Sequence, residues 1–163
     1  MQSNLNMKHN LLLFSSVVLL IVLMLLTIFG SRWYNEKHTG PASLGLAWGQ
    51  LTECNKSPNC VSSQTSQASK SVDSFVTKGH ANATWLKLKA VIEVMPQASL
   101  VKEFENYRHY EFTTPLMGFI DDFELLFDVE DQLIHVKSAS RVGHSDMGTN
   151  LKRVELLRKK LEQ

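Results

Sequence analysis

GFIDDFELLFDVEDQLIHVKSAS, residues 118–140, is the stretch from which the fold can be read. In a strand, successive side chains point to opposite faces. Phe119, Asp121, Phe123, Leu125 and Phe127 therefore share one face, and in the next strand Ile134, Val136, Ser138 and Ser140 do the same. Neighbours across a strand pair lie on the same side of the sheet. A hairpin with residues 129–132 as its loop meets that condition. It sets Phe127 against Ile134, Leu125 against Val136, Phe123 against Ser138 and Asp121 against Ser140. On the other face Glu124 falls opposite Lys137, and Asp122 lies diagonal to Lys137 and Arg141. Opposite charges so placed add about a few tenths of a kcal/mol each.

Working outward, strand patterns cover 99–104, 107–113, 117–128 and 133–141. Before them Trp85, Leu88, Val91, Ile92 and Met95 fall at helical spacing from about Ala83, and Pro96 ends the run. Asn82 or Thr84 is placed to cap that helix. After the strands a helix from about Asn150 carries Leu151, Val154, Leu157 and Leu161 on one stripe. Sequential strands with short connections favour an antiparallel sheet. The expected fold is α+β, a two-layer sandwich with a four-stranded antiparallel sheet and both helices on one face. It occupies a single domain at 51–163. Residues 30–50, with Gly40, Pro41, Gly45 and Gly49, read as a stalk, and residues 62–74 (SSQTSQASKSVDS) as loop.

Residues 11–29, LLLFSSVVLLIVLMLLTIF, carry no charge. As a helix they would be about 28 Å long, close to the hydrocarbon thickness of a bilayer. Trp33 and Tyr34 follow, where aromatic side chains favour the headgroup layer. A cleaved signal peptide usually has a shorter apolar core and a small-x-small site, which Ile28-Phe29-Gly30 meets poorly. The run reads as an uncleaved transmembrane anchor behind a cytoplasmic tail, residues 1–10. Lys8 before it and Arg32 and Lys37 after it leave the positive-inside count nearly balanced. Cys54 and Cys60 break the tie. An even cysteine count on an exported domain is read most simply as one disulfide. The domain is therefore expected to be extracytoplasmic, in the periplasm or cell envelope.

The chain has 17 Lys and Arg, of which only Lys8 precedes the span, against 16 Asp and Glu. The exported part is thus neutral overall, which argues against nucleic acid as a partner. Lys152, Arg153, Arg158, Lys159 and Lys160 read as a solvated helix face. A zinc site is not expected, because Cys54-x5-Cys60 lacks the ligand spacing, and no cofactor motif is present. His135 reads as a surface residue beside Lys137.

The candidate site is SASRVGHSDMGTN, residues 138–150, which is polar beyond the needs of a turn and feeds a helix N-terminus. Asp121 joins it through Ser140. A carboxylate on an apolar face must be paired, hydrogen-bonded or neutral. Two readings are open. Asp121, Ser138, Ser140, Arg141, Asp146, Asn150 and Arg153 form either a structural network or a polar binding site. In the second, Arg141 and the amides of 148–151 would hold an anion, although Asp146 would oppose it.

Three stretches carry a family resemblance. They are SPNCVSSQ (57–64), GFIDDFE (118–124) and residues 138–150 with Arg153 and Glu155 after them. In this order and spacing the chain resembles the domain of unknown function 1499 family, over roughly residues 51–157. The resemblance implies a small bacterial or plastid domain behind an export signal or membrane anchor, and no particular reaction. The family's basic residue after the Asn is here Leu151, with Lys152 and Arg153 next. The expected function is a membrane-anchored domain that binds a small ligand, lipid or envelope protein, or that serves as a structural module. The alternative is a hydrolase- or transferase-like enzyme with Asp121 or Asp146 as base and Arg141 stabilising an anion.

Overall fold

The computed structural model describes residues 2–38, 44–76 and 81–162, with side chains described from residue 11 except at 33 and 35–38. Gly40 and Pro41 of the expected stalk, and the side chains of Lys8, Trp33 and Lys37, lie outside the described residues. The chain divides into two compact units, residues 1–39 and 40–163.

The first unit is one helix, α1, Gln2–His38. Its stretch Leu11–Arg32 is long and apolar enough to cross a membrane. Its polar hydroxyls turn back on the helix: Ser16 and Thr27 donate to the carbonyls of Leu13 and Met24, each at 2.8 Å.

The second unit is α+β. In chain order it holds β1 (Leu46–Ala47), β2 (Gln50–Leu51), β3 (Cys60–Ser62), a short 3-10 turn (Ala68–Lys70) and β4 (Phe75–Val76). There follow α2 (Ala81–Glu93), β5 (Ala98–Phe104), β6 (Tyr107–Thr113), β7 (Ile120–Asp128), β8 (Leu133–Ser140) and α3 (Thr149–Glu162). α2 begins at Ala81, so Asn82 and Thr84 lie inside it and do not precede it.

The β7–β8 hairpin has the register expected from alternation. Phe127 pairs with Ile134, Leu125 with Val136, Phe123 with Ser138, and Asp121 with Ser140. Asp128 fixes the turn: its Oδ1 accepts the N–H groups of Glu130 and Asp131 at 2.9 and 3.0 Å. The main sheet, however, has six strands and not four, in the order β3-β8-β7-β6-β5, with β4 also on β8. β3 pairs with residues 137–139 of β8 and β4 with residues 133–134, so the outer edge of β8 is shared by two short strands. Such strands are too short to show a period, and both fall in or beside the Ser-rich stretch. β5 remains as the edge, largely exposed and interrupted by a bulge between Leu100 and Lys102.

One face of the sheet carries the main core. Phe123, Leu125, Phe127, Ile134 and Val136 pack with Trp85, Leu88 and Ile92 of α2 and with Val154 and Leu157 of α3. Phe119 departs from the expected inner face: β7 starts at Ile120, which leaves Phe119 40% exposed. Leu151 also lies outside the buried stripe of α3.

The other face is not open to water. The segment before β3, residues 44–59, crosses it, with Leu51 packed on Tyr107 and Leu126, and Cys54 and Cys60 packed with Ala139. Cys54 and Cys60 form a disulfide. Asp122, Glu124 and Lys137 on this face are each only 1% exposed, so these opposed charges are interior. His135 is also largely covered, its side chain 13% exposed, with Ser63 Oγ 3.3 Å from its Nδ1.

Candidate functional site

Asp121 and Asp122 are consecutive in β7, so the strand sends them to opposite faces. Each gathers its own arginine, and the candidate residues divide accordingly.

On the core face Asp121 Oδ2 accepts from Arg153 Nη2 at 2.6 Å. Arg153 sits in the first turns of α3, where its side chain reaches back over the sheet end. Its Nη1 also donates to Ser138 Oγ at 2.9 Å and Asn150 Oδ1 at 2.6 Å, and the guanidinium lies 4.5 Å from the Phe112 ring centre. Ser138 donates to Asn150 Oδ1 at 2.6 Å. The Asn150 amide nitrogen donates to Ser140 Oγ at 3.0 Å and to Asn59 O at 3.1 Å. Asn59 in turn donates to Ser140 O and Gly143 O at 3.2 and 2.8 Å. The network therefore joins β7, β8, α3 and the disulfide loop. Asp146 acts at the helix start, its carboxylate accepting from Gly148 N–H at 3.0 Å and Asn150 N–H at 2.8 Å.

On the other face Arg141 grips Asp122 with two bonds, Nε to Oδ2 at 2.9 Å and Nη2 to Oδ1 at 2.7 Å, and also bonds Glu111. His109 Nε2 lies 2.7 Å from Asp122 Oδ1. Burial pushes the Asp122 carboxyl up, but the bonds from Arg141 and His109 outweigh it and hold the group below its ordinary range. The same contact with Asp122 raises the Arg141 guanidinium further. Next along the strand Glu124 accepts from Tyr107 Oη at 2.6 Å and Gly45 N–H at 2.7 Å, and lies 3.4 Å from Lys137 Nζ. Lys137 also donates to Thr52 Oγ1 at 2.8 Å. Burial lowers the Lys137 ammonium, and Glu124 opposes that shift. His109, Glu111 and Asp122 bring ligand-type atoms within 4.8 Å of one another. Both carboxylates are already bonded to the Arg141 guanidinium, so the protein's own cation stands where a metal would need to bind.

Thus Asp121, Ser138, Ser140, Asn150 and Arg153 come together, Asp146 borders them, and Arg141 does not join them. Arg141 and the α3 amides cannot hold one anion between them, since they act on different faces. Sequence reading passed over Asn59, His109 and Glu111. The alternation His109-x-Glu111 in β6 was the available signal, because it puts both on the Asp122 face once β6 pairs with β7.

Two cavities open beside the core-face network and meet at Thr114 and Thr149, which line both. One, of about 290 Å³, is walled by Met95, Phe112, Pro115, Leu156 and the stem of Arg153, with Lys152 at its side. The other, of about 380 Å³, is walled by Phe119, Val142 and Met147 and touches Asp121, Ser140 and Asp146. Together they make a groove between the start of α3 and the β6–β7 loop. Its walls are largely apolar, and its polar floor is already hydrogen-bonded. Volumes of this order suit a small ligand.

No curated protein and no solved structure matches the chain. A family model described as "Protein of unknown function (DUF1499)" matches residues 50–161, from β2 to the last turn of α3. The match spans the sheet, the disulfide loop and both polar networks, and the chain belongs to the DUF1499 family.

Proposed function

We propose that this chain is a single-pass membrane protein whose α+β domain binds a small amphipathic ligand in the groove beside α3. The supporting observation is the groove itself: apolar walls over a floor where Asp121 and Arg153 satisfy one another. Such a site gains affinity from burying an apolar body and needs no unpaired charge from the protein. The anchor is residues 11–29, with residues 1–10 in the cytoplasm and the domain on the extracytoplasmic side. The disulfide supports that placement, since such bonds persist in oxidising compartments. The enzymatic reading loses support, because Arg141 lies on the other face and the Asp146 carboxylate is engaged by the helix start.

The test is a titration of the amphipol-wrapped full chain with a fluorescent fatty acid. Saturable binding is expected, and Thr149→Trp, which fills the junction of the two cavities, should weaken it at least about tenfold with melting unchanged. No saturable binding, or equal binding by the Trp variant, would leave a structural module.

A further inference from the structure

The mouth of the groove is rimmed by two apolar loop tips. The first tip belongs to TTPLMGF, residues 113–119, which has no charged side chain. Its base is tied shut: Thr114 N–H donates to Phe119 O at 2.8 Å and Gly118 N–H to Thr114 O at 3.0 Å. Phe119 N–H donates to Thr114 Oγ1 at 2.9 Å. On this closed loop Leu116 is 92% exposed, and Met117 and Phe119 are about half exposed. The second tip is Met147, 88% exposed, between β8 and α3. Its φ of +54° is a conformation that side chains other than Gly or Asn rarely adopt. Phe119, at the base of the first loop, and Met147 line the same cavity, which sets both loops beside its mouth. Lys152 lines the adjoining cavity, with Nζ 3.4 Å from Met147 O, and so adds a cation beside the apolar tips.

Rigid loops that hold several large apolar side chains in water mark a contact surface. The chemistry of the rim favours one partner. Apolar tips with a lysine beside them match an acyl layer with phosphate above it. The same chain carries α1, long and apolar enough to cross a bilayer, so that phase is at hand.

We propose that the Leu116–Met117 and Met147 tips dip into a lipid bilayer and that the groove draws its ligand, an acyl chain of a phospholipid, directly from it. Lys152 meets the phosphate. This rests on the ligand-binding reading of the groove and names both the ligand and its source.

The full chain reconstituted in vesicles tests this. Single cysteines at Leu116, Met147 and, as controls, Val94 and Trp48 would carry a nitroxide; both native cysteines are disulfide-bonded and buried. Trp48 is the rival tip, fully exposed on the β1–β2 turn, whose hairpin packs near Tyr107, at the end of the sheet away from the groove. Vesicles are phosphatidylcholine alone or mixed with phosphatidylglycerol. The ratio of collisions with oxygen to those with a nickel chelate should be several-fold higher at 116 and 147 than at 94. It should fall back towards the value at 94 in a chain that also carries Met117→Asp. Equal ratios at 94, 116 and 147 overturn the proposal, as does a bilayer-like ratio at 48 alone. Shielding of 116 and 147 from both quenchers also overturns it and points to a protein partner. Fatty-acid binding that persists while the tips stay in water leaves the groove reading intact and refutes membrane uptake. Insertion of the tips without binding refutes the groove reading.

Discussion

Arg153→Ala should be the most damaging single change at the end of the sheet. Arg153 donates to Asp121, Ser138 and Asn150 and stacks on Phe112. Ser138 and Asn150 keep each other as partners when it goes. Asp121 does not: it is 4% exposed, and Arg153 is the partner that balances its charge. The loss is therefore governed by one uncompensated buried carboxylate, at about 3–5 kcal/mol. For a domain of this length each kcal/mol moves the melting point by about 3–5 °C, so a fall of roughly 9–25 °C is expected. Replacing both partners by apolar side chains, Asp121→Leu with Arg153→Met, should restore stability to within about 1–2 kcal/mol of the native chain. The assay is thermal unfolding of the full chain in detergent, followed by near-ultraviolet circular dichroism. If Arg153→Ala costs no more than an exposed ion pair, under about 1 kcal/mol, Asp121 does not depend on Arg153 and the reasoning fails.

Removing the Cys54–Cys60 bond, by Cys54→Ala with Cys60→Ala, should cost about 2 kcal/mol, because the ring it closes is short. Since both sulfurs are bonded, thiol reagents should label neither without reductant, even in the urea-unfolded chain. Rapid labelling would refute the bond. Asp122 supplies a pH test. Its folded carboxyl titrates below its unfolded value, so its stabilisation is fully present above the ordinary carboxyl range of about 3.9 and is lost as pH falls through the lower folded value. Asp122→Asn should be less stable at neutral pH and lose less on acidification, as measured by urea midpoints across that range; parallel curves would sink the assignment.

Alternation along β7 and β8 was legible because one face of each strand is apolar, and a slip of one residue would have buried charge against Phe123 or Val136. The same argument placed Asp121 by Ser140 and Asp122 near Arg141 without a structure. What alternation could not reveal was the cover on the second face. Glu124 and Lys137 look like surface residues from their own strands. Only the crossing of residues 44–59 puts them in the interior, and that segment has no period of its own. The groove was hidden for a related reason: its walls come from Met95, Phe112, Phe119 and Leu156, which belong to different elements and gather only when the helices dock.

The shared edge of β8 has a consequence for how the chain is made. β3 lies at residues 60–62, yet the strand it joins is not complete until residue 140. At about 5–20 residues per second, roughly 4–16 s of synthesis separate the two. Throughout that interval β3 lacks the strand it pairs with, while β5, β6 and β7 emerge as consecutive hairpins. Local pairing is fast and distant pairing slow. A nascent chain of this design therefore leaves the outer edge of its sheet unbuilt until nearly the whole domain exists.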